Sequence, residues 1–214
     1  MRFLISLLLF SFCFSAQADG IKLARVKYTG GGDWYNDPSA EVNLLKFVSS
    51  NTNIQVDAEY QPVELSSNEL FNFPLIFLTG HGSIDLNSTE REKLKSYLEN
   101  GGFLYVDDDY GMDKYVRPLL EDILPDAKLE RLPLSHPIFS SHFNMRSIPK
   151  THEHDEAEPE VYGLYYQNRI VAIYTFESNP SDGWADPAIH GDTPEKREEA
   201  LRFGANIIVF ALTN

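Results

Sequence analysis

The chain has 214 residues and a formal net charge of −14, with 32 acidic residues against 18 basic ones. A chain this acidic repels both the phosphate backbone of nucleic acids and an anionic membrane surface, so neither is expected as a partner. Cys13 is the only cysteine, which excludes a disulfide within the chain and leaves any mature form that lacks Cys13 without a thiol nucleophile.

The N-terminus has the pattern of a signal peptide. Arg2 gives a basic start, an apolar run extends from Phe3 to Phe14, and Ala16-Gln17-Ala18 supplies the small residues at which a signal peptidase cleaves. The apolar run is too short to span a bilayer comfortably. We therefore expect residues 1–18 to be removed, and residues 19–214 to form one periplasmic or secreted domain without a membrane span.

Strands and helices alternate along the first two thirds of the chain. Strands are predicted from apolar and β-branched runs at residues 21–28, 54–60, 75–78, 103–106 and 128–132. Helices are predicted from Pro38, with Val42, Leu45 and Val48 on one face, at 66–71, from Asn87 to Gly101, and at 113–124. Asn87 and Glu90 have the spacing of a capping box. This alternation predicts an α/β fold with a doubly wound, mostly parallel sheet and helices on both faces.

The last third of the chain has a different pattern. Residues 161–166 and 169–176 flank Gln167-Asn168, which predicts a β-hairpin added to the edge of the sheet. Thr193 as the N-cap and Pro194 at the first helical position then begin a long final helix. Neither an internal repeat nor an interdomain linker interrupts the pattern, which favours a single domain.

Three loops are expected to meet at one edge of the sheet. They are residues 30–34, the turn Gly80-His81-Gly82, and the turn Asp107–Gly111, and each follows a predicted parallel strand. Ligands of open α/β sheets bind beyond the carboxyl ends of the strands, and glycines let the backbone approach them closely. Glycines also make tight turns without any ligand, and that alternative stays open here.

Specific residues of these loops are candidates for binding a ligand. The ligand-binding candidates are Gly31, Asp33, His81, Gly82, Asp108 and Tyr110. His81, poorly shielded between two glycines, is expected to point into the crevice as a general base or a metal ligand, unless it only bonds to a loop carbonyl. Asp107 and Asp109 face the same way in an extended chain, so together with His81 they are candidate ligands of a divalent metal. The alternative is that Asp109 or Asp113 caps the following helix and the other acidic side chains are solvated.

A second histidine motif, His152-Glu153-His154, has a spacing that zinc and copper sites use. It lies in a polar run that ends in Glu158-Pro159-Glu160, which is typical of a mobile acidic loop. We interpret this segment as one that binds metal adventitiously. The chain also lacks a G-x-S-x-G elbow, a P-loop and a dinucleotide fingerprint, so their chemistries are not expected.

Several motifs together resemble a known bacterial family. They are residues 77–82 (FLTGHG), 94–108 (ending in FLYVDD), 132–133 with 136–139 (HPIF), Trp184, Asp186-Pro187, and 199–214 (EALRFGANIIVFALTN). The chain resembles the family called domain of unknown function 4159, and the resemblance covers nearly all of residues 19–214. It implies a fold similar to the class I glutamine amidotransferases. Those enzymes carry a cysteine in the turn that corresponds to Asp107–Gly111, so the glutaminase reaction is not expected here.

Two functions follow from these expectations. The first is a non-hydrolytic binding module of the cell envelope, which needs no cofactor and takes a small polar molecule, a glycan or an envelope protein. The alternative is a hydrolase in which His81 and Asp107–Asp109 hold a divalent metal that activates water.

Overall fold

The protein is described here by a computed structural model that covers residues 20–152 and 156–214. Within these residues, seven strands form one sheet: β1 (Leu23–Lys27), β2 (Gln61–Glu64), β3 (Leu75–Leu78), β4 (Phe103–Asp107), β5 (Lys128–Arg131), β6 (Glu160–Tyr166) and β7 (Arg169–Phe176). Their order is β2-β1-β3-β4-β7-β6-β5. Strands β2, β1, β3, β4 and β7 are parallel, whereas β6 and β5 are antiparallel to their neighbours. The predicted α/β class with a mostly parallel sheet is confirmed. The expected signal peptide and His154 lie outside the described residues.

Helices connect the strands and cover the sheet. They are α1 (Ala40–Asn51), α2 (Ser88–Glu99), α3 (Asp113–Ile123), α4 (Pro180–Trp184), α5 (Pro187–His190) and α6 (Pro194–Thr213), with 3-10 turns at Asn68–Asn72 and Pro137–Phe139. The short helices α4 and α5 were not predicted. Both follow β7, so they begin at the same edge of the sheet as the loops after β1, β3 and β4.

The core consists of two layers, one on each face of the sheet. Alternate side chains of β3 and β4 point to opposite faces: Ile76 and Leu104 pack with α2 and α3, whereas Phe77 and Tyr105 pack with α1 and α6. The Phe77 and Tyr105 rings stack with their centres 5.3 Å apart, and the ring of Trp184 lies 5.4 Å from Phe77. Trp184 therefore ties the unpredicted helix α4 to the centre of the sheet.

Local sequence signals determine several of these elements. Asn87 Oδ1 accepts a hydrogen bond from the Glu90 amide at 3.1 Å, and Glu90 Oε2 accepts one from the Asn87 amide at 2.9 Å, which confirms the capping box. Gln167 and Asn168 have positive φ angles of 49° and 65°, as a two-residue hairpin turn requires. Thr193 accepts a hydrogen bond from the first turn of α6, as expected of an N-cap.

Two expectations about the sheet are wrong. The strand expected at residues 54–60 contributes only an isolated bridge between Val56 and Ile21, because its alternating apolar side chains pack against the core from an irregular segment. The strand itself is β2, an edge strand that tolerates Pro62. The hairpin of β6 and β7 does not lie at the edge of the sheet, because β7 pairs with β4 and β5 forms the edge. The buried run of residues in β7 fits this interior position.

A buried ion pair connects the sheet to the loop that follows β1. The side chain of Arg25 is fully buried in β1, and its Nε and Nη2 atoms donate to the Glu41 carboxylate of α1 at 2.5 and 2.8 Å. Its Nη1 atom donates to the backbone oxygens of Trp34 and Asn36 at 2.8 and 2.9 Å. The guanidinium also lies 4.8 Å from the ring centre of Phe77. One side chain thus holds the sheet, α1 and the β1–α1 loop together.

The substitution Glu41→Gln tests this pair. We expect it to lower the free energy of unfolding by about 3–5 kcal/mol, because it leaves the Arg25 charge buried without a counterion. The matched control is Glu64→Gln, which breaks a solvent-exposed pair with Lys27 at 3.4 Å and should cost only about 0–1 kcal/mol. Urea unfolding of the three proteins measures both values. Equal losses for the two variants would contradict the role given to the buried pair.

Candidate functional site

The predicted loops meet at the carboxyl edge of the sheet. The Gly32 amide donates to the Ser83 carbonyl at 3.0 Å, and this bond joins the loops after β1 and β3. The Gly82 amide donates to the Tyr110 carbonyl at 2.9 Å, and this bond joins the loops after β3 and β4. The histidine turn and the triple-aspartate turn are therefore neighbours at one end of parallel strands.

His81 lies between carboxylates from two other loops. Its Nδ1 atom is 3.0 Å from Asp33 Oδ2 and 3.3 Å from Asp109 Oδ2, and its backbone amide donates to Asp33 Oδ1 at 2.5 Å. Asn36 Nδ2 donates to Asp109 Oδ2 at 2.6 Å. These four residues are named the His81 group. Its histidine is half-exposed and its Asp109 is buried, so the group faces solvent on one side only.

Residues from two other loops bond to Asp109, and further carboxylates lie close to it. Asn179 Nδ2, from the loop after β7, donates to the Asp109 carbonyl at 2.6 Å. Burial raises the pKa of the Asp109 carboxyl to about 6; the His81 charge opposes this shift, whereas Asp37 and Asp33 add to it. The anionic form of Asp109 therefore lacks full compensation from the protein.

A second cluster combines two imidazoles with a carboxylate. His152 Nδ1 lies 2.9 Å from Asp182 Oδ2, and His190 Nε2 lies 3.8 Å from Asp182 Oδ1. His190 Nε2 also donates to Asp37 Oδ2 at 2.8 Å. His152, Asp182 and His190 are named the His152 group. The structure thus brings His152 to Asp182, while its sequence neighbour His154 lies outside the described residues.

Asp182 is the most electrostatically perturbed carboxyl of this edge. Its side chain is buried near the start of α4. Burial, together with the charges of Asp109, Asp107, Asp37 and Asp192, raises its pKa to about 9. Several carboxylates thus share one small region where the nearby positive groups are imidazoles.

The predicted metal ligands His81, Asp107 and Asp109 do not converge on one point. Asp107 is fully buried and accepts hydrogen bonds from Thr175 Oγ1 at 2.5 Å and from the Ser181 amide at 2.9 Å, and burial raises its pKa to about 7. In the part of the chain that the structure describes, only the His152 group brings three ligand atoms within 4.8 Å of one another.

Asp108 has a structural position. Its carboxylate accepts hydrogen bonds from the amides of Met112 and Asp113 at 2.8 and 3.0 Å, and from the Tyr174 hydroxyl at 3.2 Å. It therefore satisfies free amides at the start of α3, a capping role that the sequence suggested for Asp109 or Asp113 instead.

A small cavity of about 260 Å³ lies beside the same turn. Asp108, Asp109 and half-exposed Tyr110 line it, together with Lys114 and Phe176. Its volume is slightly below the range of about 300–1,000 Å³ that is usual for small-molecule sites. The space fits a small ligand better than a long chain.

The glycines of these loops mainly allow close packing between the loops. Gly80 has a φ of +139°, and a Cβ atom there would lie 2.4 Å from the Tyr28 hydroxyl. Gly31 has a φ of +96° and lies beside the Ser83 side chain. The amide of Gly82 is already used by the Tyr110 carbonyl, so it does not face a ligand.

Sequence reasoning missed the part of the site that follows β7. Asp182 and His190 were not singled out, and Asn36 and Asp37 were passed over beside the glycine loop. The Asn179-Pro180 pair was a usable signal for a helix start, which would have placed Asp182 in its first turn. The pairing of His190 with Asp37 joins residues 153 positions apart and left no local signal.

Comparison with known proteins identifies the chain at the level of a family. Among the described residues, no helix combines the length and the apolar character needed to cross a membrane. No curated protein matches the sequence. The profile of one family matches residues 22–212, which confirms the family resemblance seen in the sequence motifs. The chain belongs to the family described as Domain of unknown function (DUF4159).

Proposed function

We propose that this protein is a non-hydrolytic binding module that takes a small ligand with a cationic or hydrogen-bond-donating group at the His81 group. One observation carries the proposal: two carboxylates from different loops flank the half-exposed imidazole of His81 at the carboxyl edge of the sheet. Such an edge is where open α/β sheets bind their ligands.

Charge favours a cationic partner. Asp33, Asp37 and Asp109 are close enough to influence one another, and the positive groups that act on Asp109 are the imidazoles of His81 and His190. A bound cation would compensate these carboxylates without the need to protonate them. The same carboxylates would repel an anionic ligand.

Among the described residues of the crevice loops, His81 pairs with carboxylates and with no serine or cysteine side chain, which supports binding over hydrolysis. We propose a doubly wound scaffold similar to the class I glutamine amidotransferases, in which Asp107–Gly111 replaces the cysteine turn. The hydroxyl of Ser83, which follows the Gly80-His81-Gly82 turn, donates to the Gly30 carbonyl. The hydrolase alternative needs Asp107 as a metal ligand, and Asp107 is already bound by Thr175 and Ser181.

Ligand binding can be tested with defined probes in a thermal-shift titration. We use arginine, putrescine and glucosamine as cationic probes, galactose as a neutral probe and citrate as an anionic one. At about 100 times its Kd, a cationic ligand should raise Tm by roughly 5–10 °C. Asp33→Asn and His81→Gln should abolish that shift, because both residues are partly exposed and belong to the His81 group.

The matched control is Asp126→Asn, an exposed carboxylate beyond the far end of α3 that should keep the full shift. If the cationic probes shift all three variants equally, or if citrate alone shifts the wild type, the His81 group is not the site.

We also propose that the protein is exported and works in the periplasm or outside the cell. The basic start and the apolar run before Ala16-Gln17-Ala18 support this. Expression of the full chain in a bacterial host should give a periplasmic product that begins at Asp19, as read by intact mass and N-terminal sequencing. The variant Ala18→Arg should accumulate uncleaved. A cytoplasmic product that keeps Met1–Ala18 in the wild type would contradict export.

A further inference from the structure

We propose that His152, Asp182 and His190 form a site for one first-row divalent metal ion, with Zn²⁺ as the probe that best fits its donors. The site lies beyond the His81 group and uses none of His81, Asp107 and Asp109, while its His152 belongs to the segment that was expected to bind metal only adventitiously. Two imidazoles and one carboxylate are a donor set used for zinc and for other divalent transition metals.

The spacing of the donor atoms fits a small ion. His152 Nδ1 and Asp182 Oδ2 are 2.9 Å apart, and His190 Nε2 and Asp182 Oδ1 are 3.8 Å apart. Nitrogen and oxygen ligands of a tetrahedral zinc ion lie about 2.0–2.2 Å from the metal, which places them roughly 3.3–3.5 Å from one another. The observed distances, each to a different oxygen of Asp182, lie on either side of that value, and all three ligand atoms lie within 4.8 Å of one another, so side-chain adjustments would complete the site.

The buried carboxylate of Asp182 is an independent indication that a cation binds here. Its carboxylate is buried, yet neither of its oxygens accepts a hydrogen bond within the described part of the chain. The two imidazole nitrogens lie close to it without hydrogen-bond geometry. A buried carboxylate without hydrogen bonds is costly unless a cation compensates it. Donor atoms that approach one another without bonding are arranged as ligands of a shared ion would be.

The backbone holds Asp182 and His152 together before any ion binds. The Thr151 amide donates to the Ser178 carbonyl at 2.8 Å, which places His152 beside the start of α4. A Cβ atom at Gly183 would lie 2.6 Å from Ala200 Cβ and 3.3 Å from the Thr151 side chain, so only glycine permits this packing. Two ligands are therefore positioned by the fold itself.

His190 is positioned from the other side of the crevice. Asn43 of α1 donates to the Trp184 carbonyl and to Asp186 Oδ1, both at 2.9 Å, and so fixes the segment between α4 and α5. His190 Nε2 bonds to Asp37 Oδ2, and metal binding would replace this bond and leave the Asp37 carboxylate beside the ion. The imidazoles of His152 and His190 are partly exposed, which gives an ion access from solvent.

The coordination number has a consequence for function. Three protein ligands leave one position of a tetrahedral ion for water or for a donor atom of a bound molecule. The ion would also compensate the carboxylates of Asp37 and Asp109, whose charges raise the pKa of Asp182.

The experiment is calorimetric titration of the chelator-treated protein with ZnCl₂, together with the change in Tm. We expect one zinc ion per chain and a higher Tm. His152→Gln, Asp182→Asn and His190→Gln should each weaken zinc binding by at least about 100-fold, because each removes a ligand. His152→Gln changes a side chain that is 42 % exposed, so it tests the site even if the buried Asp182→Asn variant does not fold.

His142→Gln is the matched control, since His142 bonds to the Asn51 carbonyl in another region, and it should bind zinc like the wild type. His81→Gln should also keep zinc while losing the cationic ligand, which separates the metal site from the proposed ligand site. The inference is overturned if the wild type binds no zinc, or if His152→Gln and His190→Gln bind it with unchanged affinity and stoichiometry.

Discussion

The crevice depends on one buried cation. Arg25 is fully buried in β1, and its Nε, Nη1 and Nη2 atoms connect the Glu41 carboxylate of α1 to the backbone of the loop after β1. That loop carries Asp33, Asn36 and Asp37, and each of these side chains holds a residue from another loop. Loss of the guanidinium would remove these hydrogen bonds, so we expect the loop and the side chains that it contributes to both histidine clusters to be less firmly held.

The resulting edge concentrates negative charge where water is largely excluded. The pKa values of Asp107, Asp109 and Asp182 are all raised, and burial is the largest cause in each case. Asp107 is compensated by hydrogen bonds from Thr175 and Ser181, and Asp109 accepts hydrogen bonds from Asn36 and Asn179 beside the His81 imidazole. Asp182 has mainly imidazoles beside it. An organic cation at the His81 group and a metal ion at the His152 group would compensate the negative charge of these carboxylates.

Sequence patterns predicted elements that depend on local chemistry. The capping box at Asn87, the buried runs of β3 and β4, and the position of His81 at the carboxyl edge all follow from neighbours in sequence and from parallel strand geometry. Arg25 was not predicted to be buried, because a charged residue within a strand usually indicates a solvent-exposed position. Asp182 and His190 were missed because their partners come from distant segments, and a single sequence carries no signal of such pairing.

Hydrogen exchange in the double variant Arg25→Met with Glu41→Met tests the anchoring of the loop most directly. Replacing a buried ion pair by apolar side chains is often neutral for stability, so the sheet should stay folded. The amides of Asn36, Ala40 and His81, which are bonded within or to this loop, should exchange about tenfold faster or more, while those of β3 and β4 stay protected. Unchanged protection of these three amides in the folded double variant would contradict the account.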